Sequence, residues 1–230
     1  MIDYISQPFK WFFKLEAASG LVLLFAAIIA LIISNSNLSE LYFSTLNEYL
    51  FLGINNFGEN YAQELAKKSS TCPNDIVWHF IGPIQSNKVS LIAKHAQWVH
   101  SIDREKVAMK LNNALESEGK KIHALIQVNI DHEESKSGIL PEETIDFANK
   151  VIAHYPNLIL EGLMFMPKIN ASKKAKIETM SKIVHLHNSL LSELPRCSHL
   201  SLGTSGDFEE SILKGSTILR IGESLLGKRS

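Results

Sequence analysis

Hydrophobic positions are distributed along this chain in two different ways. Between Ala17 and Ser34 the sequence reads AASGLVLLFAAIIALIIS, a run with no charge and only Gly20 as a strong helix breaker. A bilayer span needs ~20 apolar residues, so the run sits at the lower limit for one. Lys10 and Lys14 precede it among Phe9, Trp11, Phe12 and Phe13, and no further Lys or Arg occurs until Lys67. This basic, aromatic lead predicts a membrane-interface belt with the N-terminus on the cytoplasmic side. A buried core helix and a cleaved signal peptide are the alternatives; the SNSNLS that follows is no small-x-small cleavage site. The reading is one N-terminal hydrophobic helix within a segment 1–53.

From residue 54 the period changes. Short apolar runs at 53–57, 76–81, 97–102, 122–130, 158–165, 199–202 and 217–221 have strand length. Helical patterns at 59–69, 85–95, 103–118, 141–155 and 172–193 separate them, with Asp103 as an expected cap and Pro141 in a first turn. Strand and helix in alternation predict repeated βα units and a parallel sheet, hence an α/β fold. Residues 54–230 therefore read as a TIM-like (β/α) barrel with seven strands. Closure takes eight, because only closure removes the sheet edges. The expected barrel is incomplete and lacks its first strand unit.

Such barrels place their sites at strand C-termini. The last two strands end in small residues, Gly203-Thr204-Ser205-Gly206 and Gly222-Glu223-Ser224. Small residues let backbone N–H groups approach an anion, and hydroxyls add donors. Asp207, followed by Glu209 and Glu210, has the pattern of a helix N-cap. Arg220 ends the last strand. Two such loops and one Arg form a cup suited to a phosphorylated ring, although ordinary strand-to-helix turns favour the same residues. Asn60, His79, Asn129 and Met166 fall at the same rim. Taken singly, His79 also reads as a hydrogen-bonded core histidine, and Asn129 and Met166 as packing.

Composition narrows the partners. Over 230 residues the formal net charge is -1, which argues against nucleic acid. Cys72 and Cys197 are the two cysteines, with no CxxC, so neither a disulfide framework nor a structural zinc site is expected. The nine histidines are scattered, and His185 and His187 would diverge on a helix, so no metal site is expected.

Two resemblances add to this. LEAASGLVLLFAAIIALIISNS and YLFLGINNF, within residues 1–57, resemble the start of NhaA-type sodium/proton antiporters. No second long apolar segment follows, so this resemblance implies a membrane anchor and not transport. FGENYAQE at 57–64, WHFIGPIQSNK at 78–88, SIDR at 101–104, VNIDHEESKSGI at 128–139, EGLMFMP at 161–167 and LSLGTSGDFEESILKGSTILRIGESLLGKR at 200–229 resemble the pyridoxal-phosphate homeostasis protein family (YggS/PROSC). That resemblance implies an alanine-racemase-like barrel that binds pyridoxal 5'-phosphate, with no established turnover, as a cytoplasmic monomer. It places Arg220 at the pyridine nitrogen and Ser205, Gly222 and Glu223 on the phosphate. Asn60 and His79 would flank the ring, and Met166 would pack nearby.

The chain departs from the family at one point. The Schiff-base lysine of the family ends the first barrel strand in a segment like AVSKTK, and none occurs here. Lys88, Lys136 and Lys168 do not occupy that position. Non-covalent, weak binding is expected. GINNF at 53–57 suits both parents, as a fusion through a short shared sequence would. The alternative reading is a membrane-anchored antiporter fragment fused to an incidental barrel. A span with its lysines inside would also carry 54–230 away from the cytosolic cofactor pool, whereas the family is cytoplasmic; inner-membrane association through the helix is the competing location.

Overall fold

The computed structural model describes residues 24–29, 32–33, 35–36, 54–133, 136–167 and 172–227. The chain divides into two compact units, Met1–Ile54 and Asn55–Ser230. In the first, residues 24–29 and 32–33 are helical, and the Ser36 hydroxyl donates to the Ile33 carbonyl at 2.8 Å. Leu24, Phe25, Ile29 and Ile32 are each more than half exposed. Among the described residues no helix is long and apolar enough to cross a membrane. The expected helix over 17–34 lies for the rest outside the described residues.

The second unit is built on seven parallel strands in sequence order: β1 (Asn56–Glu59), β2 (Val77–Phe80), β3 (Trp98–Ile102), β4 (Ile122–Val128), β5 (Leu158–Phe165), β6 (His199–Thr204) and β7 (Ile218–Arg220). Each strand pairs with the next, and helices fill the connections: α1 (Ala62–Ser69), α2 (Val89–His95), α3 (Glu105–Ser117), α4 (Thr144–His154), α5 (Lys173–Glu193), α6 (Phe208–Leu213) and α7 (Glu223–Leu226). The sheet curls into a nearly closed TIM-like barrel. β1 and β7 are its edges. In an eight-stranded closure one more strand would pair with both, and the described residues supply none.

Apolar residues set this arrangement. In β4, Ile122, Ala124, Leu125 and Ile126 are fully buried, because helices cover one face and the barrel interior the other. In α3, Val107, Ala108, Leu111 and Leu115 recur at helical spacing and are all fully buried. Gly82 follows β2 where the chain passes the end of β1: a Cβ there would lie 2.0 Å from the Asn60 carbonyl oxygen. No other residue fits that approach.

Two helix starts differ from expectation. The N-cap of α3 is Arg104, not Asp103. Asp103 sits one residue too early, and its carboxylate takes both contacts from the Arg104 Nη1, at 2.6 and 2.7 Å. Arg104 Nη2 also donates to the Ile84 carbonyl at 3.0 Å, so the pair anchors the β2–α2 loop. The helix expected over 141–155 opens as a 3-10 turn, Pro141–Glu143, before α4. The helix expected over 172–193 is α5, and the Ser172 hydroxyl caps it by accepting from the Ala175 N–H at 3.3 Å.

Candidate functional site

The loops after β6 and β7 meet. The Ser224 N–H in α7 donates to the Ser205 hydroxyl oxygen at 3.2 Å. Asp207 holds the N-cap position of α6, yet its carboxylate turns back rather than capping its own helix. Its Oδ1 accepts from the Thr204 N–H at 2.7 Å and from the Thr204 hydroxyl at 2.8 Å. Gly203 makes this bend possible. It has φ +99, and a Cβ would meet the Ser211 Cβ at 2.7 Å. The loop is thereby folded on itself. Among the described residues, the N–H groups of Ser205, Gly206, Gly222 and Glu223 have no protein acceptor. Converging free N–H groups make an anion-binding concavity.

Arg220 closes the site from the last residue of β7. Its Nη1 donates to the Ser201 hydroxyl at 2.6 Å, and its Nη2 donates to the Phe165 carbonyl at 2.8 Å. Two fixed contacts leave the guanidinium one orientation. Burial lowers its pKa to about 10, opposed by the nearby Asp207 carboxylate, so it stays charged at neutral pH. A cavity of about 700 Å³ opens beside these groups and is lined by Met166, Thr204, Ser205, Gly206, Asp207 and Arg220 among others. Lys176, on α5, also lines it. The Met166 carbonyl is held by Lys136 Nζ at 3.1 Å. Lys136 also pairs with Glu133 at 2.7 Å.

Of the residues singled out from sequence, Met166, Ser205 and Arg220 stand round this one cavity. Gly222 and Glu223 adjoin it through the Ser224–Ser205 contact. Asn60 follows β1, and its carbonyl packs against Gly82. His79 is buried inside the barrel and is not among the cavity's lining residues. Its ring stacks on Trp98, with centroids 5.5 Å apart and planes within 8°. Asn129 clamps its own loop: its Nδ2 donates to the carbonyls of Glu133 and Lys136, and its Oδ1 accepts from the Glu133 N–H.

Sequence reasoning missed His100 and Ser201. Both are buried polar residues in otherwise apolar strands, and that interruption was the available signal. His100 bonds to Ser201 at 3.0 Å and to His79 at 2.9 Å. Burial holds His100 well below its usual pKa, with His79, Arg220 and His199 adding to the effect. His79 is lowered to about 4, first by burial and then by His123. Cys197 is buried, and burial raises its thiol pKa to about 11, so it is no nucleophile at neutral pH. Cys72 is half-buried, and both cysteines are free.

Residues 45–230 match the family described as alanine racemase, N-terminal domain. Residues 10–69 match the one described as Na+/H+ antiporter 1. The pyridoxal phosphate homeostasis protein of Vibrio alginolyticus is 44% identical over 178 residues, covering 75% of this chain and 76% of that protein. Its counterpart in Escherichia coli K12 is 38% identical over 190 residues, covering 81% of each. Among solved structures, PipY of Synechococcus elongatus without PLP superposes with a TM-score of 0.70 at 26% identity, over 80% of this chain and 87% of that one. PipY with PLP bound superposes at 0.65 and 24% identity, over the same shares, a likeness of fold. With relatives this similar over three quarters or more of its length, the chain belongs to the pyridoxal phosphate homeostasis protein family.

Proposed function

We propose that this barrel binds pyridoxal 5'-phosphate without covalent attachment and without turnover. The observation that carries the reading is the pair of loops after β6 and β7. Four N–H groups there lack a protein acceptor, and the Ser205 hydroxyl lies between them. These donors fit a phosphate, which needs many short hydrogen bonds and a positive field. Ser205, Gly222 and Glu223 hold it, the last two through their backbone. Met166, about half exposed, offers a thioether face to the ring. Arg220 faces the ring nitrogen. A permanent cation there disfavours protonation of that nitrogen and weakens the ring as an electron sink. That suits a carrier. Asn60 lies on the β1 side of the ring.

The non-covalent part rests on lysine placement. When bound, the cofactor supplies an aldehyde that reacts with amines. A lysine at the end of a first barrel strand would present one, and no such segment is found in the sequence. Lys88 is the N-cap of α2, and Lys136 is tied to Glu133 and Met166. Lys168 lies outside the described residues. Lys176 lines the cavity from an exposed helix face, not from the end of a barrel strand. On this reading β1 stands where a family barrel has its second strand. The exposed apolar residues Leu24, Phe25, Ile29 and Ile32 support a membrane contact for the N-terminal unit.

The test is a spectral titration of the purified chain with pyridoxal phosphate and, separately, with pyridoxal. Binding that needs the phosphate, is competed by inorganic phosphate and leaves no lysine labelled after borohydride supports the reading. Equal binding of pyridoxal removes the phosphate cup, and a borohydride-fixed lysine found by peptide mapping removes the non-covalent part.

A further inference from the structure

One run of hydrogen bonds crosses the barrel interior from edge to edge. Arg220 of β7 bonds to Ser201 of β6 at 2.6 Å. Ser201 bonds to His100 Nδ1 of β3 at 3.0 Å. His100 Nε2 bonds to His79 Nδ1 of β2 at 2.9 Å. His79 Nε2 bonds to Asn56 Oδ1 of β1 at 2.8 Å. Ser201, His100 and His79 are buried. The two ends lie on the strands that lack a second neighbour.

The chemistry of the ends sets the direction of the whole run. Asn56 Nδ2 donates to Asn55 Oδ1 at 2.7 Å, so its Oδ1 faces His79 and can only accept. His79 therefore carries its hydrogen on Nε2. A neutral ring then has a lone pair on Nδ1, which accepts from His100 Nε2–H. The same logic leaves His100 Nδ1 as an acceptor for the Ser201 hydroxyl. Ser201 in turn accepts from the guanidinium, which can only donate. Every donor meets an acceptor when both imidazoles are neutral. A proton added to His100 would place an N–H against the Ser201 hydroxyl and a cation near Arg220; one added to His79 would oppose two N–H groups between the rings.

We propose that Ser201, His100, His79 and Asn56 form a one-way hydrogen-bond relay that ties the two edge strands together and holds the Arg220 guanidinium facing the cofactor. The two histidines are positioning residues. They act on the ring nitrogen only through Arg220, and this part rests on the cofactor reading above. The strut replaces part of what ladder hydrogen bonds would do between β1 and β7. The groups facing it are few: Trp98 stacks on His79, and His123 lies across that indole at a centroid distance of 4.6 Å. His199 meets Trp98 edge-on at 5.4 Å.

The relay can be tested without ligand. In the full chain labelled with nitrogen-15 in histidine, His79→Phe and His100→Phe spectra assign the two rings. Both rings in the neutral Nε2–H form at pH 7 support the relay. An Nδ1–H form or an imidazolium at either ring overturns it, whether or not the variants fold well. The second measurement is the pyridoxal phosphate dissociation constant of wild type and of Ser201→Ala, which removes the hydroxyl between guanidinium and imidazole. A weakening of about tenfold is expected from the loss of one charge-assisted bond, with the affinity for inorganic phosphate unchanged. If wild type binds the cofactor and Ser201→Ala binds it equally well, the positioning role is overturned. If wild type does not bind at all, the cofactor reading fails, and the nitrogen spectra alone decide the strut.

Discussion

β4 and β7 belong to one sheet, yet they are held in different ways. β4 lies between two strands, and six of its seven residues, all but His123, are buried. β7 has one neighbour, and Ile218, Leu219 and Arg220 are all only half-buried. β1, at the other edge, exposes Asn56 and Gly58. The middle of the sheet is stabilised by removing apolar surface from water, which is non-directional and large. The edges hold by directed contacts: the Arg220 fork on β7, the relay to Asn56, and the ion pair between Lys68 of α1 and Glu59 of β1. Directed contacts are individually weaker, but they fix orientation, and Ser205 and Arg220, which line the cavity, lie beside the β7 edge. The barrel thus separates apolar burial from directed contacts along the sheet.

The separation predicts unequal costs for similar truncations. Leu163 in β5 is fully buried, paired with Ile126 on one side and Leu200 on the other. Leu163→Ala should destabilise the chain by about 2–5 kcal/mol, the usual cost of an unfilled core site. Ile218→Ala at the β7 edge should cost about 1 kcal/mol, since half the side chain is already wet. Urea unfolding of the two variants reads the difference directly. Equal costs would mean that β7 is as much a part of the core as β5, and the contrast would fall.

The middle and the edges also differed in how well they could be read from sequence. β5 was legible to the residue, because LILEGLMF is apolar but for Glu161 and Gly162, and Pro167 follows it closely. The edge strand expected at 53–57 is found at Asn56–Glu59 instead. NFGE has almost no apolar pattern, and its pairing with Val77–Phe80 sets its register. The helix expected from residue 85 starts at Val89, since the loop before it is held at the Ile84 carbonyl by Arg104, 20 residues away in sequence. The two loops that meet at Ser205 and Ser224 were legible because both are local runs of small residues. The relay was not, because Ser201 and His100 are 101 residues apart, and no spacing rule links positions on different strands.

The relay makes the edges sensitive to pH in a way the apolar middle is not. His79 is lowered from 6.5 to about 4, and His100 is also lowered well below its usual value, both chiefly by burial. Above pH 6.5 both rings are neutral, folded or unfolded, and no stability depends on them. Below it the unfolded chain takes up protons that the folded chain does not, so stability falls as pH drops until about 4, where folded His79 titrates too. Between pH 7 and 5, His79 alone should account for a loss on the order of 2 kcal/mol. His95 and His187, also lowered by burial, act in the same direction, whereas the raised Asp103 carboxyl acts oppositely. Urea midpoints at the two pH values give the slope, and His79→Phe should flatten it. An unchanged slope in that variant would assign the effect to the other histidines and leave the edges no special pH dependence.

The smallest effect expected lies at the seam between the two regimes, where β6 meets β7. Thr217 precedes the strand, and its hydroxyl takes the place of a ladder carbonyl: it accepts from the Leu200 N–H at 2.9 Å, while the Thr217 N–H donates to the Leu200 carbonyl at 3.0 Å. The same hydroxyl pairs with His199 Nδ1 at 3.1 Å. Thr217→Val keeps the shape and removes the acceptor. Because Thr217 is exposed, water can reach the freed Leu200 N–H, so the expected cost is about 0.5–1 kcal/mol rather than that of a sealed unpaired donor. Hydrogen exchange gives a sharper reading than global stability. The Leu200 amide should exchange faster in the valine variant, and the amides of β4 should not change. Faster exchange in β4 as well would mean that the edge and the middle open as one unit. In that case β7 would be a structural strand like any other, not a separately held platform for Arg220.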